Sequence, residues 1–313
     1  MAMGAVQGVV AVGASLRPVR GRWSKLRERM VEVCLFAAAL SAVLITAAIV
    51  AILLYESSSF FAHVSLREFF TGTQWTPLFE NPQYGILPLV AGTLTTSLVA
   101  LLVAVPMGTV LAIYLSEFAR PLVREVVKPI LELISGVPTV VFGYFALLFI
   151  TPMLQNVMPN LPGFNMLGPG IVIGIMIVPY ISSLSEDAMR AVPMHLREAS
   201  YAMGASRFQT ATRVVTPAAL SGIVASYILG ISRAVGETMV VAIAAGQQPN
   251  FTFDPTQAAA TITAFIVQVA MGDLPHGSIG YQSIFAAGLV LFAMTMVFNL
   301  IGHWVRKRYR EAY

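Results

Sequence analysis

Charge is scarce in this chain. Asp, Glu, Lys and Arg make up 11% of its 313 residues, whereas 57% are hydrophobic. Soluble domains carry about 25% charged residues, so the deficit excludes an ordinary water-soluble globule. The deficit is also concentrated, because none of those four residue types occurs over 133–185 or 274–305. Either stretch exceeds the roughly 18 apolar residues that suggest a membrane span. Cysteine is nearly missing, and the single Cys34 excludes a disulfide framework and a thiolate metal cluster. His63, His195, His276 and His303 lack helical pair spacing, so no metal site is expected. There is no Gly-rich loop ending in Lys and Ser/Thr. The chain is therefore expected to be no enzyme, with no catalytic residue and no cofactor, and any ATP hydrolysis is assigned to other chains.

What is present is a series of apolar runs. Six read as spans: 33–55, 86–115, 133–150, 167–184, 218–245 and 284–304. The second is long enough to tilt or to kink at Pro106. The third and fourth share the long uncharged stretch, separated by the turn-rich residues Thr151-Pro152 and Asn160-Leu161-Pro162-Gly163. A seventh run, 256–271, is apolar but only 16 residues long.

Basic residues arbitrate the count, since Lys and Arg accumulate in cytoplasmic loops. With six spans, 17 of the 19 basic residues fall on one side: Arg17 to Arg29 in the first tail, Arg120, Arg124 and Lys128, Arg190, Arg197, Arg207 and Arg213, and Arg306 to Arg310. Only Arg67 lies opposite. A seventh span would put the last basic cluster outside, so 256–271 is expected to be a helix lying on or dipping into the outer face. Both termini are then cytoplasmic, and the net charge of +4 reflects orientation and contact with anionic membrane lipids, not nucleic acid. Residues 1–16 are apolar and Gly-rich but precede the basic cluster, the wrong order for a cleaved signal peptide; a flexible tail is expected. The resulting division is a basic cytoplasmic tail (1–30), a first span with an outer loop (31–85), a membrane core (86–305) with a cytoplasmic loop at 186–217, and a second basic tail (306–313).

The remaining basic residue, Arg233, falls midway along the fifth expected span, where a charge costs roughly 2.5–3.5 kcal/mol on insertion scales. Glu237 follows four residues later, a spacing that places both side chains on one helical face. Such a pair can fix packing, but buried pairs stabilise weakly. The favoured reading is a polar passage in which Arg233 attracts an anion and Glu237 limits how tightly it is held. Gly230 and Gly236 beside them permit close approach. In the loop 186–217, Pro193 suits a helix start. Leu196, Ala199 and Met203 follow at helical spacing, and Gly204 ends or bends the helix.

The loop residues carry a resemblance. Glu198-Ala199-Ser200, three residues, Gly204, nine residues, Val214, one residue and Thr216-Pro217 resemble the EAA loop of the membrane subunits of bacterial ABC importers. Ser200, Val214 and Thr216 depart from that pattern without moving its spacing. The stretches Phe70-Thr71-Gly72-Thr73-Gln74-Trp75-Thr76-Pro77, Gly85-Ile86-Leu87-Pro88, Ser135-Gly136-Val137-Pro138-Thr139 and Ser232-Arg233-Ala234-Val235-Gly236-Glu237-Thr238 are similar to the phosphate-specific permease family PstC, as is the run from Ile262 to Asp273. The resemblance implies an all-α, six-helix permease of the type I (MetI-like) importer fold. It implies a homologous second permease subunit (PstA-like), two ATP-binding subunits (PstB-like) and a periplasmic phosphate-binding protein (PstS-like) as partners in the bacterial inner membrane. It also implies phosphate passage past Arg233 and Glu237, and coupling to the ATPase through Glu198, Ala199 and Gly204. A sulfate or molybdate permease is the nearer alternative. A secondary transporter or channel would account for intramembrane charge but not for the 198–217 motif, and a membrane scaffold would account for the spans but leave the intramembrane charges without a purpose.

Overall fold

The structure, a computed structural model, describes residues 22–308. The expected flexible segment 1–16, Arg17, Arg20 and Arg310 lie outside the described residues. Packing divides the chain after Ile52. In the first unit the described residues are the bulk of one helix, α1 (Arg22–Phe61), whose apolar side chains, Leu35, Phe36 and Val43 among them, are exposed.

In the second unit α1 ends and a short helix α2 (Leu66–Thr71) follows, capped by the Ser65 hydroxyl accepting from the Glu68 amide. Trp75 and Tyr84 pair in an antiparallel bridge that returns the chain toward α3 (Leu87–Ile113). The rings of Phe60, Phe69, Trp75, Tyr84 and Phe265 meet edge to face around this turn. Burial raises the Tyr84 phenol above its ordinary range.

Helix α3 passes through Pro106 unbroken and ends in a π-helical turn, Tyr114–Phe118, closed by the Ala119 amide donating to the Tyr114 carbonyl. It packs along α7 (Leu167–Arg190), and glycine makes that approach possible: a Cβ on Gly174 would stand 2.7 Å from the Ala100 carbonyl oxygen, and one on Gly170 would stand 2.6 Å from Val99 Cγ1. Small residues let helix backbones close up where hydrophobic exclusion of water is unavailable.

Between α3 and α7 lie α4 (Pro121–Gly136), α5 (Thr139–Phe145), a π turn (Ala146–Ile150) and α6 (Thr151–Gln155). The expected span at 133–150 starts within α4 and is bent. Helix α4 meets the following segment at 88°. Pro138 lacks an amide hydrogen and forces its predecessor out of the helical region, and Val137 is accordingly extended at φ −66°, ψ 131°. Residues 133–136 thus belong to an amphipathic helix bearing Arg124 and Lys128.

After α7 come α8 (Met194–Ala202), α9 (Arg207–Thr210), a π turn (Ala211–Val215), α10 (Thr216–Ala218), α11 (Leu220–Val235) and α12 (Met239–Ala244). The segment 207–218 meets α11 at 73°. The expected fifth span at 218–245 is likewise broken, with α11 stopping before Gly236 and α12 starting after Thr238.

The expected outer helix at 256–271 starts late. Residues up to Thr261 form loop, and α13 (Ile262–Gln268) with its π turn (Val269–Asp273) follows. The first turn does not lie on the surface: Ile262, Ala264 and Phe265 are buried, and the Ile262 amide donates to Thr93 Oγ1 of α3 at 3.0 Å. The last helix is α14 (Ile279–Arg308). Among the described residues four helical stretches are long and apolar enough to cross a membrane, and counting each of the two bent pairs as one span makes six.

Candidate functional site

Two groups of residues were expected to act, and the structure treats them differently. Arg233 lies in the last turn of α11, and its guanidinium carbon sits 4.2 Å from the centre of the Tyr180 ring on α7. A cation over a ring face is held by the ring quadrupole. Among the described residues no ion pair joins Arg233 to a carboxylate, and its Nε is buried without a hydrogen-bond partner. Tyr180 in turn donates its hydroxyl to the Ser135 carbonyl at 3.4 Å.

The expected pairing of Arg233 with Glu237 on one helical face does not form, because the helix ends between them. Glu237 sits in the break, 8% exposed, and its Oε1 accepts from the backbone amides of Met239 at 3.2 Å and Val240 at 3.3 Å. Those amides open α12, and the first turn of any helix has donors with no partner in the helix. A carboxylate there also meets the positive end of the peptide dipoles. Glu237 therefore receives the first amides of a new helix at the point where the span is broken. Its own carbonyl accepts from the buried Thr263 hydroxyl at 2.7 Å, tying the break to α13.

Within 186–217 the helix expected after Pro193 forms as α8, with Pro193 at its N-cap instead of its first turn, while residues 186–190 still belong to α7. Met203 closes α8, and Gly204 takes φ +81°. The Gly204 amide donates to the Tyr201 carbonyl and the Ala205 amide to the Ser200 carbonyl. Those two bonds are the Schellman arrangement, in which a left-handed glycine terminates a helix. Glu198 and Ala199 are exposed, as are Met194, Tyr201 and Met203, the last at 88%. The departures from the EAA pattern have local partners: Ser200 Oγ lies 2.9 Å from the buried Thr210 hydroxyl, and the Thr216 hydroxyl donates to the Ala211 carbonyl.

Sequence reasoning missed the ion pairs around this loop. Arg197, read as one more orienting charge, is 9% exposed and paired with Glu117 at 2.9 Å. Glu186 on α7 is fully buried among Arg124 at 3.1 Å, Lys128 at 2.7 Å and the more distant Arg190 at 3.8 Å. Tyr180 was missed as well, since an aromatic residue in an apolar run carries no signal of its partner. On the 246–261 loop, hydrogen bonds from the Thr256 hydroxyl and amide hold the Asp254 carboxyl below its usual range.

The bent-span architecture has solved counterparts. A bacterial ABC transporter for import of the acidic polysaccharide alginate superposes with a TM-score of 0.65 at 18% identity, covering 92% of this chain and 99% of that one. The MetNI methionine ABC transporter in an inward-facing conformation gives 0.53 at 17% identity, over 72% and 95%. The fold is thus that of a type I ABC importer permease. By sequence, the probable ABC transporter permease protein YqgH of Bacillus subtilis (strain 168) is 35% identical over 78% of this chain and 79% of that protein. The phosphate transport system permease protein PstC of Xylella fastidiosa (strain 9a5c) is 32% identical over 74% and 76%, and PstC 1 of Mycobacterium tuberculosis is 33% identical over 77% and 81%. Residues 104–311 match the family described as the binding-protein-dependent transport system inner membrane component, and the chain belongs to it. It is a multi-pass membrane permease of an ABC transporter.

Proposed function

We propose that this chain is a permease subunit of an ATP-driven phosphate importer. It sits in a bacterial inner membrane with both termini cytoplasmic and is itself no enzyme. A homologous permease subunit completes the pathway, two ATP-binding subunits supply the energy, and a periplasmic phosphate-binding protein delivers the anion to the outer face, where residues 56–84 and 256–271 receive it. Residues 86–305 form the transporting core between the basic tails 1–30 and 306–313.

The observation that carries the reading is the guanidinium of Arg233, without a carboxylate partner among the described residues and set against Tyr180 of α7, a helix long and apolar enough to span a bilayer. Phosphate at neutral pH carries one to two negative charges, and moving it through a low-dielectric interior without a counter-charge is very costly. A permanently charged planar fork suits an oxyanion. Tyr180 holds that fork through its ring face, a contact that leaves the N–H groups for a ligand. Glu237 acts one step removed: it fixes the break after Arg233, and its negative charge nearby keeps the anion from binding too tightly to leave. Coupling falls to α8, with Glu198 and Ala199 on the face offered to an ATP-binding subunit and Gly204 shaping its end.

The names of several relatives support phosphate over sulfate or molybdate. The test is ATP-driven uptake of radiolabelled phosphate by the assembled complex in vesicles, with sulfate and molybdate as competitors. Uptake insensitive to a large excess of either supports the reading, and uptake of sulfate in place of phosphate refutes it.

A further inference from the structure

The side chain best engaged near the coupling loop is one that neither the EAA pattern nor the anion path requires. Arg197 lies on α8 next to the exposed Glu198, but it points into the protein. Its Nε and Nη2 donate to the two carboxylate oxygens of Glu117 at 3.3 and 2.9 Å. Its Nη1 donates to the Val192 carbonyl at 2.7 Å, and Nη2 also reaches the Met189 carbonyl at 2.8 Å. All three guanidinium nitrogens are used. The carbonyls lie at and just past the end of α7, where Met189 already accepts from the Val192 amide and Arg197 adds a second donor, and the carboxylate lies in the π turn that ends α3. One side chain therefore joins α8 to both of the tightly packed core helices.

The π turn gathers a further element. Arg124 of α4 donates through Nε to the Leu115 carbonyl at 3.1 Å and through Nη2 to the Ser116 carbonyl at 3.3 Å, while its Nε lies 3.1 Å from Glu186 of α7. Helices α3, α4, α7 and α8 thus meet at residues 114–118. Buried ion pairs add little stability over apolar packing of the same shape, yet breaking one by removing a partner is costly. A bidentate fork also fixes direction and distance together. Such a joint transmits displacement instead of absorbing it, whereas apolar contacts alone would let α8 slide.

We propose that Arg197 is a positioning residue for transport: its bond to Glu117 carries movement of α8 into the end of α3, so that ATPase motion reaches the membrane core as a rigid displacement. The inference rests on the reading of α8 as the helix that docks the ATP-binding subunit. Glu117→Gln removes the charge while leaving both carbonyl bonds of Arg197 in place. Arg197→Lys keeps the charge and loses the fork.

The test reconstitutes the complete complex and measures phosphate moved per ATP hydrolysed, for both variants, for the double variant and for Glu117→Asp. Coupling elements of this kind change linkage by about 2- to 30-fold. A fall in that range is expected for each single variant, with ATP hydrolysis retained, Glu117→Asp nearer to wild type, and the double variant no worse than the poorer single one, as for two residues on one path. A merely structural pair would lower the yield or melting temperature of the complex and leave the ratio unchanged, which would overturn the proposal. So would effects that multiply in the double variant. Should Arg197→Lys fail to assemble, the Glu117→Gln and Glu117→Asp ratios decide alone. Met203→Asp on the exposed face separates the two readings. If it releases the ATP-binding subunits while the Glu117 variants couple normally, only the relay is wrong. If it leaves binding and uptake intact, the docking role of α8 falls and the relay with it.

Discussion

Gly204→Ala is the most tractable perturbation of the coupling loop, because the structure separates backbone strain from steric clash. A Cβ at Gly204 meets nothing within 4 Å, so no side chain has to move. The φ of +81° is the whole difficulty. Left-handed backbone costs an L-residue roughly 1–2 kcal/mol, and the two terminating hydrogen bonds from Gly204 and Ala205 hold only while that conformation persists. The closed form of the helix end should therefore lose about 5- to 30-fold in population relative to a frayed one, since 1.4 kcal/mol is a factor of ten. Amide hydrogen exchange at Gly204 and Ala205 reads this directly, with faster exchange at those positions and little change in α7. Gly204→Asn should exchange more slowly than Gly204→Ala, because Asn tolerates the left-handed region. Gly204→Asp should share that tolerance for the backbone and should uncouple ATP hydrolysis from phosphate uptake through its added charge on the ATPase-facing side. Unchanged exchange in Gly204→Ala would refute the assignment of the helix end to this glycine.

Glu237→Ala removes the carboxylate oxygen that accepts from both amides at the start of α12 and should cost about 0.5–2 kcal/mol, as for other helix caps, whereas Glu237→Gln keeps an oxygen acceptor and should melt closer to wild type. Equal melting temperatures for the two would contradict the capping role. Cysteine placed at the exposed Gln257 or Asp273 should react with a membrane-impermeant reagent from the periplasmic side, while one at the buried Ala260 should not; labelling of Lys307→Cys from that same side would overturn the six-span topology. Gly174→Ala drives a methyl to 2.7 Å from the Ala100 carbonyl oxygen and should destabilise the α3–α7 pair by about 1–3 kcal/mol, read as a lower melting temperature of the detergent-solubilised complex.

The apolar helices were legible because lipid demands long runs without charge, and 167–184 falls inside one continuous helix as the pattern required. The breaks were harder to see. No charged residue interrupts Ser135-Gly136-Val137-Pro138, so the run looked continuous although proline chemistry turned it by 88°. At Glu237 the helical spacing from Arg233 suggested a pair, because periodicity assumes that the helix continues. It cannot register a carboxylate satisfying the amides of the next one. Gly204 was readable, since a glycine at the end of a helical pattern has one conventional use. Arg197 was not, as its partner Glu117 lies 80 residues away and only the fold brings them together.

The most direct measurement is ATP-driven phosphate uptake by the reconstituted complex carrying Arg233→Gln, with ATP hydrolysis followed in the same vesicles. The account expects the complex to assemble and hydrolyse ATP while phosphate import is lost. Import at the wild-type rate would contradict it and would reduce Arg233 to a packing partner of Tyr180.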